Sequence, residues 1–446
     1  MTDLAQHIEA TPLIDTHEHL NDEKNYVENG PDVLCDLFDN YVKDDLISAG
    51  ASPDAVKRLL DKSDPDIAGR FRGVEAAWRA CQHTGYGEAV QIIARQVYKM
   101  DEEITVAGIE AGAERNLRMR QPGERLYLLQ TVANLDHVQI DDFTWACAPD
   151  PSGPDFFLYD LNWFGFCDGR FDPAELQKET GVTVRDIATL DEAIAALFTK
   201  YGPCAVAVKT QHAYARTLAW QERDAADVAR VLEKHLAHEG REDALTYDER
   251  LCLGDWCWAR GVEQAILHNL PFKIHTGHYA GTGTMPMDKI RPSHLCPLLA
   301  KYPAARFVLM HIAYPYGDEL VSLAKHYPNV WVDLCWAWSI DPFSARDFVR
   351  RMIHAVPSNK LFAFGGDSFW PNASVAYALM ARHWLTRTLQ NEVDENLLTE
   401  AQAIALATRW MRANQEACFD LAGTRAAIAA QPVPNRNVTG RINDAG

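Results

Sequence analysis

His17 and His19 stand one residue apart in PLIDTHEHLND, at the end of an apolar run and between carboxylates. Side chains two residues apart on a strand share a face, so both imidazoles can converge on one point, and a metal ion suits that point. Polar residues end later apolar runs in the same way: Lys209 in AVAVKTQ, His275 in FKIHTG, His311 in VLMHIAY and Asp367 in FAFGGDS. A single strand-end histidine is usually hydrogen-bonded packing. Four histidines and an aspartate ending different strands form a donor set that zinc, iron, manganese or nickel accept. A metal that lowers the pKa of bound water, beside a carboxylate that takes and passes on the proton, supports hydrolysis.

These residues need elements to position them. Eight apolar runs recur between stretches of helical periodicity: PLIDTHEHL, LYLLQTVANL, FFLYDLNWFGF, CAVAVKTQ, PFKIHTG, RFVLMHIAY, NVWVDLCW and LFAFGGDS. Runs apolar on both faces and separated by helices belong to a covered parallel sheet, and eight of them predict an α/β fold, a closed (β/α)8 TIM barrel. We expect one metal-dependent barrel domain over residues 1–446. Residues 21–123 are too long for a βα loop and read as a helical insertion after the first strand, with segments such as PDAVKRLLDK and GEAVQIIARQVYKM. Arg70, Arg72, Trp78 and Arg79 of this insertion could reach a substrate, although solvated helix faces explain most such charges. Stretches 373–392 and 399–430 read as C-terminal helices before a polar tail, QPVPNRNVTGRINDAG. In such a barrel the chemistry sits at the C-terminal strand ends, where the residues above fall.

Composition narrows the partner. The formal charge of −19, from 62 acidic against 43 basic residues, argues against nucleic acid and leaves a small-molecule substrate. No window reaches the roughly 18 apolar residues of a membrane span, and MTDLAQHIEA lacks the features of a secretory signal, so a cytoplasmic location and no membrane partner are expected. Ten cysteines without regular spacing suit reduced thiols, and Cys252 with Cys257 has no matching second pair for a structural zinc. GGDSFWP lacks the phosphate-loop spacing, HYAGTGT lacks a third glycine in register, and no GxSxG elbow occurs.

The order HxH, Lys, His, His, Asp over some 350 residues resembles the amidohydrolase superfamily. LIDTHEHL, FKIHTGH, VLMHIAYPYGDEL, NVWVDLCWAW and FAFGGDSFWP are similar to its amidohydrolase-2 branch, which also holds decarboxylases and lies near uronate isomerase. The resemblance implies that His17 and His19 bind a buried metal and that Asp367 is both ligand and proton shuttle. In binuclear relatives, counterparts of His275 and His311 bind a second metal bridged by a carboxylated lysine, here Lys209. In mononuclear ones, His275 is a ligand and His311 polarises substrate or moves protons. The cofactor expected is therefore one or two divalent ions, zinc first and manganese or iron as alternatives.

Lys209 lies in a run so apolar that a free ammonium needs a partner there. It becomes a bridging carbamate, pairs with a carboxylate or binds a substrate carboxylate, and the first of these is the expectation. Arg216 could grip a substrate carboxylate through its planar fork. His278, Tyr314, Trp336, Trp338 and Trp370 follow strands and would line the pocket. Glu18 should point away from the metal by alternation, and Asp15, in phase with the histidines, should support them. The function expected is metal-dependent hydrolysis of an amide, lactone or related bond in a small, carboxylated compound. The alternatives are decarboxylation or uronate-type isomerisation on the same site, binuclear iron or manganese redox chemistry, or a noncatalytic binding protein. Association between copies is left open.

Overall fold

Leu13–Glu18 is buried at every position, as a strand covered on both faces must be. The computed structural model describes residues 2–100, 103–238, 240–241, 244–280 and 284–431. It sets eight such strands side by side: β1 (Leu13–Glu18), β2 (Leu135–Ile140), β3 (Phe157–Asn162), β4 (Ala205–Thr210), β5 (Phe272–Ile274), β6 (Phe307–Leu309), β7 (Val330–Asp333) and β8 (Leu361–Phe362). Each pairs in parallel with its successor. The extended chain after β8 returns to β1. Thr16 N–H donates to Phe364 O at 3.1 Å, Asp367 N–H to His17 O at 2.9 Å and His19 N–H to Ser368 O at 3.0 Å. Helices lie between the strands at every connection but that of β2 to β3, and the result is the nearly closed (β/α)8 barrel that the spacing of the runs predicts.

Between β1 and β2 the chain is helical from Glu23–Asn29 through to Val106–Met119. Local chemistry starts these helices: Asp22, Asp32, Ser52, Thr84 and Thr105 each accept a hydrogen bond from the backbone N–H three residues on. After β8, helices Pro371–Asp394, Glu400–Thr408 and Leu421–Ala429 follow, as expected for 373–430.

The second strand is corrected. LYLLQTVANL was expected to form it, but Glu124–Leu126 and Tyr127–Val132 are helical and β2 begins at Leu135. The helical turns bury Leu128 and Leu129 and leave Tyr127 exposed, which is a one-sided pattern that suits a surface helix better than a central strand. All ten cysteines are free. Among the described residues no helix is long and apolar enough to cross a membrane. The polar tail from 432 and the glycines of HYAGTGT at 281 and 283 lie outside the described residues.

Candidate metal centre

Strand alternation brings the imidazoles of His17 and His19 together, with their Nε2 atoms 3.2 Å apart. Asp367 meets them from the segment after β8. Its Oδ1 lies 3.3 Å from His17 Nε2 and 3.4 Å from His19 Nε2. Asp367 sits in the left-handed region, at φ 57°, a conformation that aspartate tolerates better than most residues. Its N–H is held by His17 O, and its carbonyl accepts the hydroxyl of Tyr41 from the insertion. Three lone-pair donors converging this closely are what a divalent cation would relieve, so the residues present fit a metal.

The protonation states suit that use. Burial, reinforced by the Lys209 ammonium, holds His17 well below the usual imidazole range and leaves a neutral ligand. Burial pushes the Asp367 carboxyl upward, but its hydrogen bond to His17 and the surrounding imidazoles reverse this and keep it ionised.

Neighbours fix each ligand. His19 Nδ1–H donates to Asp141 O at 2.6 Å, which aims Nε2 at the centre. Its ring is stacked between Phe143, at 4.5 Å, and Phe369, at 5.5 Å. Asp15, expected to support the histidines, accepts from His17 N–H at 3.1 Å and Gly366 N–H at 3.2 Å. Glu18, expected to point away, does so into the barrel wall and accepts from Ser368 N–H at 2.6 Å. A side chain at Gly366 would place its Cβ 2.0 Å from Glu18 Oε1 and would displace that carboxylate. Burial raises the Glu18 carboxyl well above its ordinary range and the Asp15 carboxyl to about 7.

The other expected ligands form a second arc. Lys209 is buried with Nζ 3.8 Å from Asp141 Oδ2. His275 lies 4.3 Å from His311, ring to ring, and its Nε2–H is directed at His278 O, 3.2 Å away. His311 Nδ1–H donates to Cys335 O at 3.1 Å, while its Nε2 is buried without a hydrogen-bond partner among the described residues. Donor atoms of His311, Cys335 and Asp367 lie within 4.8 Å of one another, a second group that could hold an ion.

The expected substrate contacts divide. Trp336 is buried at the centre of an aromatic wall, 5.5 Å from His311 and 6.0 Å from His278, and His278 is 6.0 Å from Tyr314. Arg216 is corrected: its guanidinium is buried and holds Asp255 at 2.6 Å, Cys167 O at 3.0 Å and Thr217 O at 3.1 Å, leaving no fork for a substrate. Trp338 is buried with its indole N–H on Ala363 O at 2.9 Å. Trp370 precedes the helix from Pro371, and its ring lies 6.5 Å from that of Tyr26.

Sequence reasoning missed Asp141, Cys335, Tyr41, Tyr86 and Phe143. Strain marks part of this set. Phe143, His311, Ile312, Ala313, Trp336 and Asp367 all have positive φ, and all follow the C-terminal ends of β2, β6, β7 and β8. Bulky residues held in that region concentrate at functional sites.

A parallel barrel with histidines and an aspartate gathered at its C-terminal face defines a class of metal-binding barrel proteins. A family model described as Amidohydrolase matches residues 14–402, and the chain belongs to that family. A uronate isomerase from Thermotoga maritima superposes with a TM-score of 0.77 at 15% identity, over 93% of this chain and 96% of that one. A glucuronate isomerase from Caulobacter crescentus gives 0.75 at 16% identity, over 94% and 93%. At such identities the likeness is one of fold. Protein fluG of Emericella nidulans is 31% identical over 157 residues, covering 34% of this chain and only 18% of that protein's length.

Proposed function

We propose that the protein is a metal-dependent hydrolase of small molecules, acting on an amide, lactone or related bond. The observation that carries this reading is the convergence of His17 Nε2, His19 Nε2 and Asp367 Oδ1 within 3.4 Å. These residues would hold one divalent cation, zinc first, which supplies a water of near-neutral pKa and polarises a carbonyl. Asp367, ionised, would accept a proton from the attacking water and return it to the leaving nitrogen or oxygen. His311, with its Nδ1–H on Cys335 O and its Nε2 unpartnered among the described residues, is free to accept a hydrogen bond or a proton from a substrate O–H or N–H. Asp141 favours Lys209 as an ammonium, because a carbamate 3.8 Å from that carboxylate would place two anions together. One metal per chain follows.

The same pairing supports a second reading, isomerisation or decarboxylation, because a single metal with a free histidine also serves proton transfer next to a carbonyl. Elemental analysis of the purified protein tests the common ground. About one divalent metal per chain is expected, unaffected by bicarbonate or carbon dioxide removal. The His17→Ala, His19→Ala double variant should lose it, whereas Asp367→Asn should keep some metal and lose turnover about 100-fold or more. Full metal and full activity in the double variant would show that the centre lies elsewhere. Incorporation of labelled solvent oxygen into product then separates hydrolysis from isomerisation.

A further inference from the structure

Trp336 and Tyr86 are both buried, and both carry a polar atom with no partner among the described residues: the indole Nε1–H and the phenol hydroxyl. Unsatisfied groups of this kind in a native fold point to a ligand or an ordered water. The two rings lie nearly parallel, 15° apart, with centroids separated by 6.2 Å. Tyr41 touches both, at 4.3 Å from Trp336 and 5.6 Å from Tyr86, and Tyr41 is the residue whose hydroxyl holds the Asp367 carbonyl. Trp336 also stands edge-on to His311 at 5.5 Å. It keeps this place at φ 62°, a conformation costly for a bulky side chain and sustained only where the surroundings impose it. One continuous wall therefore runs from the metal-site histidine to the insertion, and the free indole and phenol groups on it are both neutral donors.

Charge narrows what they can bind. Every buried lysine and arginine among the described residues is already matched. Arg70, Arg125, Arg216 and Lys273 hold carboxylates at 2.6 to 2.9 Å, Lys209 faces Asp141, and Lys360 and Arg382 hold backbone carbonyls. A carboxylate set against the indole and phenol would leave water and meet no spare buried lysine or arginine among the described residues, a cost that neutral donors offset poorly. An uncharged oxygen against either donor avoids that cost.

We propose that Trp336 and Tyr86 form a substrate-recognition subsite completed by the insertion, which takes an uncharged oxygen acceptor, a carbonyl or hydroxyl on a ring-bearing compound. This revises the carboxylated substrate expected from Arg216, and it rests on the reading of the barrel mouth as an active site.

Its test does not need turnover. Metal-replete protein labelled with 15N in the tryptophan indoles gives one Nε1–H signal per tryptophan, and the signal missing from Trp336→Phe identifies Trp336. Titration with δ-valerolactone and benzamide should move that signal saturably, and less so in Tyr86→Phe, whereas glutarate and benzoate should leave it in place. A signal that no probe moves, or that only the carboxylates move, overturns the proposal. A signal that moves with the lactone in a protein that hydrolyses nothing leaves the subsite standing and removes the hydrolase reading instead. With a lactone or amide that is turned over, Tyr86→Phe should raise KM about tenfold with little change in kcat. Its melting temperature should be unchanged or higher, because the hydroxyl it loses bonds nothing among the described residues of the free protein. An unchanged KM for every neutral substrate would also overturn the assignment.

Discussion

Lys209 is the residue on which the nature of the centre turns. Its ammonium and the Asp141 carboxylate are both buried, 3.8 Å apart, and Asp141 Oδ2 has no other partner among the described residues. Removing the lysine alone leaves a buried anion unpaired. Lys209→Met should therefore lower stability in urea by about 3 kcal/mol, and adding Asp141→Asn should recover at least half of that. Equal losses in the single and double variants would mean that the two charges do not interact. His17, His19 and Asp367 were legible in the sequence because strand alternation and barrel topology dictate where such residues converge. Arg216 was misread because its true partner, Asp255, comes 39 residues later on a helix, where periodicity gives no sign of a contact. Asp141, Cys335 and Tyr86 were invisible for a similar reason: each owes its place to a neighbour on another strand or in the insertion.

Seven of the eight strands lay in runs recognisable by apolar continuity, and β2 shows what defeats that signal. LDHVQI carries Asp136, His137 and Gln139, whose polarity is met only in part: His137 and Gln139 approach at 3.3 Å, Asp136 takes Arg412 and Arg425, and Gln139 Oε1 has no partner among the described residues. The more apolar LYLLQTV beside it is helical. The insertion was legible as helical, but not the buried group that ties its helices together. Asp36, in Val33–Phe38, accepts from Asn116 Nδ2 and Arg120 Nη2, both at 2.9 Å, and from the Tyr98 hydroxyl. It thereby joins a helix near the start of the insertion to Val106–Met119 at its end. Asp36→Ala strands an arginine and two neutral donors, so a loss of about 3 kcal/mol is expected. Limited proteolysis should then cut first within 21–123. Cleavage that begins in the barrel helices instead would show that the insertion does not depend on this carboxylate.

The whole molecule separates its charges into two regimes. The excess of acidic residues that gives −19 belongs largely to the surface, whereas the barrel interior holds charges and carboxyls that must be matched or neutral. Lys273 Nζ donates to Asp160 at 2.9 Å and to Thr16 O at 2.7 Å. Asp333 accepts from the Thr16 hydroxyl at 2.6 Å and Cys335 N–H at 2.8 Å, but among the described residues no cation bonds it directly. Burial accordingly raises Asp333 to about 7 from 3.8, and Asp160, offset by Lys273, to about 6. The consequence for Asp333 has a definite sign. Between pH 4 and pH 7 the native state keeps a proton that the unfolded chain releases, so the stability contributed by this group is full below about pH 4 and is lost as pH rises through about 7. An asparagine in its place would carry no such loss, and its one oxygen would keep one of the two donors. Buried histidines such as His137 and His212, held below their ordinary range by burial, act in the opposite direction below pH 6.5, but they are common to both proteins and cancel in the difference. From pH 5 to pH 8, Asp333→Asn should therefore gain about 2 to 3 kcal/mol relative to the parent in urea unfolding. Parallel stability curves across that range would mean that Asp333 is ionised in the native barrel and that Lys273 neutralises both carboxylates at once.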